Sequence, residues 1–286
     1  MMDKIFIPTV NRIDNQITYN ALPDELKRQV VFVVQSWERE KYDFNVDYLV
    51  LPEYITLEHP RAISETRNII YNEAKDMKYA LLDDDITFYR RNTKYWSDIS
   101  SMKKSKRKCT PDDILEMFEM YSSWLEDDVT VCGCSHIEHP PRIKAYSTNV
   151  SLGSQYWING KDFAHVLPDL KLTEVKVGED IVFLLSLLTR GFSNRVSQEF
   201  CFVNKSVNNK TMKSVIWDEQ TVEDTQRDHE TIAKMFPGLF EIVYKDITVG
   251  NVKREDGGFR DFGKWRCHWN KAYSKRGNNL ENFLND

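Results

Sequence analysis

No apolar run in the sequence approaches the roughly 20 residues that a bilayer-spanning helix needs. The first residues, Met1-Met2-Asp3-Lys4-Ile5, pass straight into a strand-like stretch with no signal peptide ahead of it, so a soluble, cytoplasmic protein is expected. Cysteine is sparse. Cys109, Cys132, Cys134, Cys201 and Cys267 form no CxxC pair and no zinc spacing, and an odd, scattered set reads as reduced thiols. There is no excess of positive charge either. The net charge of −5 excludes a uniformly basic nucleic-acid binder but leaves room for local patches, because a field depends on where the charges lie. Internal repeats and low-complexity linkers are missing too. What is present is an ordinary core composition, 41% hydrophobic and 12% aromatic, over 286 residues. That length suits one large domain or a domain with an appended subdomain.

The chain is organised around Lys78-Tyr79-Ala80-Leu81-Leu82-Asp83-Asp84-Asp85-Ile86, an apolar run ending in three carboxylates. Three like charges in a row repel, and a packed core absorbs them only with something positive among them. A strand that sends Asp83 and Asp85 to one side and Asp84 to the other suits a divalent metal carrying a phosphate. An acidic turn capping a strand is the plainer reading. The apolar lead-in favours the first, because it puts the acids at the carboxyl end of a buried strand, where open α/β sheets bind ligands.

Lys4 to Thr9 reads as a first strand with a polar turn at Val10-Asn11-Arg12, and Gln29 to Gln35 as a second, nearly all apolar. Ile17 to Lys27 has the length of a short helix complicated by Pro23. Asp47 to Pro52 is a third strand, followed by a helix from Ser64 to Ala74 with Ser64 as N-cap. Strands separated by helices in this way predict a βαβ series and a parallel sheet. Met102 to Lys108 is a basic run expected to be an exposed loop. Thr110-Pro111-Asp112-Asp113 starts a helix running to Leu125. Val129 to Cys134 is a strand, Tyr156 to Asp162 a strand and turn bending at Gly160, and Phe200 to Val203 a short strand. Gly178-Glu179-Asp180 opens an apolar helix that ends at Gly191, and Glu219 to Met235 suggests another.

Four features recur in order: the Pro8-Thr9-Val10-Asn11-Arg12 turn, Arg67-Asn68, Asp83-Asp84-Asp85, and Gly178-Glu179-Asp180. Together they resemble the nucleotide-sugar glycosyltransferases of the GT-A fold, over roughly residues 4–203. The layout also resembles, more narrowly, the phage TET-associated group that glycosylates hydroxymethylated pyrimidines in DNA. That match adds the Gly133-Cys134-Ser135 strand end, Arg142 downstream of it, and Gly191-Phe192. The resemblance implies an α/β, GT-A-like (Rossmann-like), mostly parallel sheet flanked by helices. Residues 1–204 would form the nucleotide-sugar-binding and catalytic core, and residues 205–286 a C-terminal extension packing on it. The resemblance also implies a UDP-sugar donor held by Pro8, Thr9, Asn11, Arg12, Arg67, Asp83 and Asp84. Gln35 stands where many relatives carry an aspartate that reads uracil, and an amide can hydrogen-bond a pyrimidine edge. Mn2+ or Mg2+ is expected on Asp85 and Asp83, with a C-terminal histidine added, His268 or His229 by position and His268 preferred. Asp180, with Glu179 beside it, is expected to be the catalytic base; simple helix capping is the other reading of that pair.

Two basic segments stand out, Lys103–Lys108 and Lys253–Arg276, the second interleaved with aromatics. Phosphate contacts plus stacking suit a polynucleotide acceptor, while a solvated face and a packed tail are the plainer reading. Lys104, Lys106, Arg107, Arg142, Trp265 and Arg266 are the candidates for holding double-stranded DNA carrying 5-hydroxymethylcytosine. Other functions stay open at this point: a glycosyltransferase acting on a glycan or protein, a non-catalytic nucleic-acid-binding module, and a metal-dependent nuclease or nucleotidyltransferase.

Overall fold

The computed structural model describes residues 2–92, 105–139, 141–142, 144–153, 155–205, 222–243 and 264–274. The elements run β1 (Lys4–Pro8), α1 (Ile17–Ala21), α2 (Asp24–Lys27), β2 (Val30–Val34), β3 (Asp47–Val50), α3 (Ala62–Glu73), β4 (Lys78–Leu82) and β5 (Ile86–Arg91). There follow β6 (Lys106–Lys108), α4 (Pro111–Trp124), β7 (Val129–His136), β8 (Tyr146–Thr148), β9 (Gln155–Asn159), α5 (Gly160–Phe163), α6 (Glu179–Thr189) and β10 (Ser193–Asn204). The last are α7 (Val222–Met235), β11 (Phe240–Val243), β12 (Lys264–Cys267) and α8 (Trp269–Ser274).

Strands β1 to β10 form one sheet in the order β3-β2-β1-β4-β9-β7-β10-β5-β6, with β8 also pairing β10. Strands β3, β2, β1 and β4 are parallel, as are β7 and β10. Strand β9 runs antiparallel between β4 and β7, and β5 and β6 continue antiparallel at the far edge. The architecture is α/β and GT-A-like, with a parallel half and a mixed half. Helices cover both faces, so β2 is apolar throughout: Val31 and Val33 join one core, and Val30, Phe32 and Val34 the other. The first core also takes α3 and α6 through Ile70, Tyr71 and Phe183, and the C-terminal segment through Ile232, Phe236, Phe240 and Ala272. The second takes α2 and α4 through Leu26, Ile114, Phe118 and Tyr121.

Several local expectations are corrected. Pro23 splits the first helix into α1 and α2. Helix α3 starts two residues before Ser64, whose buried hydroxyl lies within the helix and donates to the Val175 carbonyl at 3.2 Å. That bond ties α3 to the loop before α6, and Arg61 rather than Ser64 holds the N-cap position. The end of the basic run is an exposed edge strand rather than a loop, with Lys106 opposite Arg91. Gly160 opens α5: its N–H donates to Met77 at 2.8 Å, and an added Cβ would lie 2.2 Å from the Ala74 carbonyl. The short strand foreseen at Phe200–Val203 is the end of twelve-residue β10, whose first half pairs β8 and second half β5. Helix α4 has the Thr110 start read from sequence, closed as a capping box: Thr110 N–H donates to Asp113 at 2.7 Å, and Asp113 N–H to Thr110 at 3.2 Å.

Candidate active site

A cavity of about 470 Å3 opens over the carboxyl ends of the parallel strands. Pro8 at the end of β1 and Thr9 after it, Gln35 after β2 and Asp83, Asp84 and Asp85 after β4 line one side. Thr66 and Arg67 of α3 and Tyr156 of β9 line the middle. Glu179 and Asp180 of α6, Thr225 and His229 of α7 and Trp265 of β12 complete it.

The acidic turn is fixed from α1. Thr18 Oγ1 donates to the Asp83 carbonyl at 2.5 Å and accepts the Ile86 N–H at 2.8 Å, and Thr18 N–H donates to the Asp84 carbonyl at 3.0 Å. The three side chains then have different surroundings. Asp84 is buried, accepts Thr9 Oγ1 at 2.7 Å and pairs with Arg12 Nη1 at 2.9 Å. Burial pushes its carboxyl up to about 7, against the pull of Arg12 and Thr9. Thr9 and Arg12 thus hold the β1–α1 turn onto Asp84. Asp85 accepts Asn204 Nδ2 at 2.7 Å and lies 3.6 Å from Arg12 Nη2. The charge of Asp83 is felt at Arg67. Asn11 takes a φ of 55° and donates its N–H to buried Glu38 at 2.9 Å; it is not a lining residue. Burial raises the Glu38 carboxyl.

Gln35 is 2% exposed, and its Oε1 has no hydrogen-bond partner. The same holds for Thr66 Oγ1 and Tyr156 Oη, both on lining residues. Buried polar atoms are normally paired, so these three can each accept a hydrogen bond from, or donate one to, a polar ligand in the cavity.

Across the cavity, Arg67 Nη1 donates to Glu179 Oε1 at 2.7 Å, and its guanidinium carbon sits 5.7 Å from the Tyr156 ring centre. Burial works to lower the Arg67 pKa, but the Glu179 carboxylate raises it well above the ordinary value. Asp180 is pushed up to about 6, first by burial and then by the adjacent Glu179 charge; Arg67 and backbone N–H groups of the first helical turn oppose both. A carboxylate with that value is ionised at neutral pH and basic enough to accept a proton.

The remaining sequence candidates spread out. His268 is not brought to the aspartates: its Nε2 lies 3.0 Å from Glu241 Oε1, because β11 and β12 pair as a separate ribbon. His229 does line the cavity, and burial lowers its pKa. Among the described residues no three His, Cys, Asp or Glu side chains converge as a ready cation cage. Trp265 is 42% exposed and stacks on Phe240 at 5.8 Å; Arg266, opposite Glu241, is exposed. Lys106 and Arg142 are exposed. Arg107 is engaged by Asp113 inside the α4 capping box. Lys104 lies outside the described residues. Sequence reasoning missed Thr66, Tyr156, Gly153 and Asn204, which carry no motif. It also missed Arg91, a buried guanidinium donating to the Gln198 carbonyl at 3.0 Å and to those of Ile137 and His139 at 3.4 and 3.3 Å, which fixes the loop leading to Arg142.

A cavity walled by strand-end carboxylates and a helix N-terminus, on a sheet of this order, defines a GT-A-like α/β protein. Residues 3–213 match the family model described as TET-Associated Glycosyltransferase, and the chain belongs to that family. It is a glycosyltransferase. No curated protein matches the chain. Among the described residues no helix is long and apolar enough to cross a membrane.

Proposed function

We propose that the chain is a metal-dependent GT-A-type enzyme that moves a sugar, with inversion, from a UDP-sugar to the hydroxymethyl oxygen of 5-hydroxymethylcytosine in duplex DNA. The observation that carries this reading is the meeting, in one cavity, of the aspartate turn with Glu179 and Asp180 at the start of α6. The family membership supports the sugar-transfer half.

The orphan Gln35 Oε1 can accept the N3–H of a uracil ring, and its amide group can donate to a ring carbonyl. Asp83 and Asp85 would hold a divalent cation. The donors are hard oxygens, and Asp85 retains lone pairs after accepting from Asn204. A cation held there would neutralise charge on the departing diphosphate. Asp180 removes the proton of the attacking hydroxymethyl group. A bond forms from that oxygen to the anomeric carbon while the bond from that carbon to the phosphate oxygen breaks, its electron pair leaving on UDP. The Arg67–Glu179 pair keeps Asp180 in place and tuned.

The acceptor base must leave the duplex to reach a pocket, at a cost of a few kcal/mol. Trp265, exposed at the cavity with Phe240 behind it, offers a stacking surface for it. Exposed Lys106, Arg142 and Arg266 suit backbone phosphates.

The test is incubation with Mn2+, a panel of UDP-sugars and hydroxymethylcytosine duplex, followed by mass spectrometry of the nucleosides. A hexose or pentose added to hydroxymethylcytosine is expected. UDP release that ignores DNA but responds to a glycan or protein would overturn the acceptor assignment. Absence of transfer to any acceptor would overturn the donor assignment.

A further inference from the structure

The family match ends at residue 213, yet helix α7 beyond it grips the turn that delivers Glu179 and Asp180. Asp228 is 3% exposed, and its Oδ2 accepts two successive backbone N–H groups, Lys176 at 3.1 Å and Val177 at 3.0 Å. Residues four apart share a helix face, and the neighbours of Asp228 on that face continue the grip. One turn earlier, Asp224 Oδ1 lies 3.6 Å from Lys176 Nζ. One turn later, Ile232 closes on Gly178, where an added Cβ would lie 2.8 Å from Ile232 Cδ1. Gly178 holds a φ of 90°, which leaves little tolerance for any other residue there. The helix therefore follows the turn residue by residue from 176 to 178, immediately before the first turn of α6. Thr225 and His229, each one position further on, line the cavity itself.

We propose that Asp228 is a positioning residue for the transfer reaction, acting through the Lys176–Gly178 turn to hold Asp180 at its place in the cavity. This rests on the reading of Asp180 as the base. A carboxylate accepting two N–H groups makes charge-assisted bonds that fix direction as well as distance. The turn has no regular secondary structure of its own, so these bonds, the Ile232 contact and the Ser64 bond to Val175 define its path. A shift of about 1 Å in a reacting group can cost on the order of a hundredfold in rate, whereas the nucleotide, held by the strand ends, would not register it.

The experiment compares Asp228→Ala, Asp228→Asn and Asp180→Asn in the full chain. It measures thermal unfolding, amide hydrogen exchange at residues 176 and 177, UDP affinity with Mn2+, and UDP release from mixed UDP-sugars with hydroxymethylcytosine duplex. Asp228→Ala is expected to stay folded at the assay temperature, to exchange faster at those two amides than wild type, and to keep its UDP affinity. Its kcat should fall by about 30- to 100-fold. Asp228→Asn, which keeps one acceptor oxygen, should recover part of kcat. If Asp180→Asn is inactive while folded Asp228→Ala turns over like wild type, the positioning role is overturned and the base assignment stands. If UDP affinity falls in step with kcat, or the loss follows the unfolded fraction, Asp228 is merely structural and the proposal fails. Wild-type turnover by Asp180→Asn would overturn the base assignment and this inference with it.

Discussion

Arg67 and Glu179, 112 positions apart in sequence, meet at 2.7 Å where α3 faces the start of α6. The arginine therefore serves an acid, and its charge lies close enough to Asp180 to oppose the upward push of burial and of Glu179.

The two members of this pair should move the acid limb of the pH–rate profile in opposite directions. Arg67→Gln removes the cation, so the Asp180 pKa rises further and activity is lost at a higher pH than in wild type. Glu179→Gln removes a like charge, so the limb moves lower. Each shift should be on the order of one pH unit. Arg67→Gln should also cost about 3 kcal/mol of stability, because it leaves a nearly buried carboxylate without its partner. Profiles of kcat against pH and thermal unfolding check both effects. Identical limbs in both variants would show that Asp180 does not control the rate.

Asp180 itself should set activity against stability. Its folded pKa, about 6, lies above the ordinary carboxylate value, so the folded state holds the proton more tightly than the unfolded chain. The stability tied to the protonated form is fully present below about pH 4 and is lost as pH rises through 6. Asp180→Asn, neutral at every pH, should therefore be inactive and also more stable than wild type at pH 8, by about 1–3 kcal/mol. Near pH 4 the gain should vanish. Unfolding curves at the two pH values decide it.

These relationships were unevenly legible in the sequence. The parallel strands, the acidic turn and the starts of α4 and α6 announce themselves through apolar runs ending in caps or charges. Strand β5 directly follows the triplet and was hidden behind it. The first half of β10, Ser193 to Gln198, is too polar to read as a strand, and only its pairing with β7 and β8 makes it one. The antiparallel insertion of β9 between β4 and β7 depends on long-range pairing that no local pattern encodes. One wall of the cavity was readable from motif order, whereas Thr225, His229 and the grip of Asp228 appear only once α7 has docked. Position along the chain points to His268 as a metal ligand, and pairing of β11 with β12 places it beside Glu241 instead.

Within the acidic turn, Asp84 and Asp85 should fail in different ways. Asp84 is buried against Arg12 and Thr9, so Asp84→Ala takes the nearer carboxylate from the buried Arg12 guanidinium, leaving it only Asp85 at 3.6 Å, and should cost about 3 kcal/mol. Asp85→Asn keeps an oxygen for Asn204 and should fold normally, yet lose at least about tenfold in Mn2+-dependent UDP affinity because one anionic ligand is gone. Calorimetric titration of UDP with and without Mn2+, beside unfolding curves, separates the two. Equal UDP affinity in wild type and Asp85→Asn would remove Asp85 from the proposed metal site.

On the acceptor side, exposure and pairing divide residues that look alike in sequence. Arg107 carries a formal charge beside Lys106, but it is held by Asp113, which also pairs with Arg90 and closes the α4 capping box. Arg107→Ala should therefore lower the melting temperature and leave duplex affinity within about twofold. Lys106→Ala and Arg266→Ala should each reduce the slope of log affinity against log salt by about one, the signature of a lost phosphate contact. Trp265 has an exposed indole face with Phe240 behind it, so Trp265→Ala should weaken binding of hydroxymethylcytosine duplex by about 1–3 kcal/mol, the usual contribution of one stacked base. UDP affinity should not change in any of the three, because the nucleotide wall lies at the strand ends. Fluorescence anisotropy of labelled duplex over a salt series measures all four variants in one format. If Trp265→Ala bound duplex like wild type but released UDP more slowly, the indole would belong to the sugar side of the cavity and the stacking assignment would be wrong.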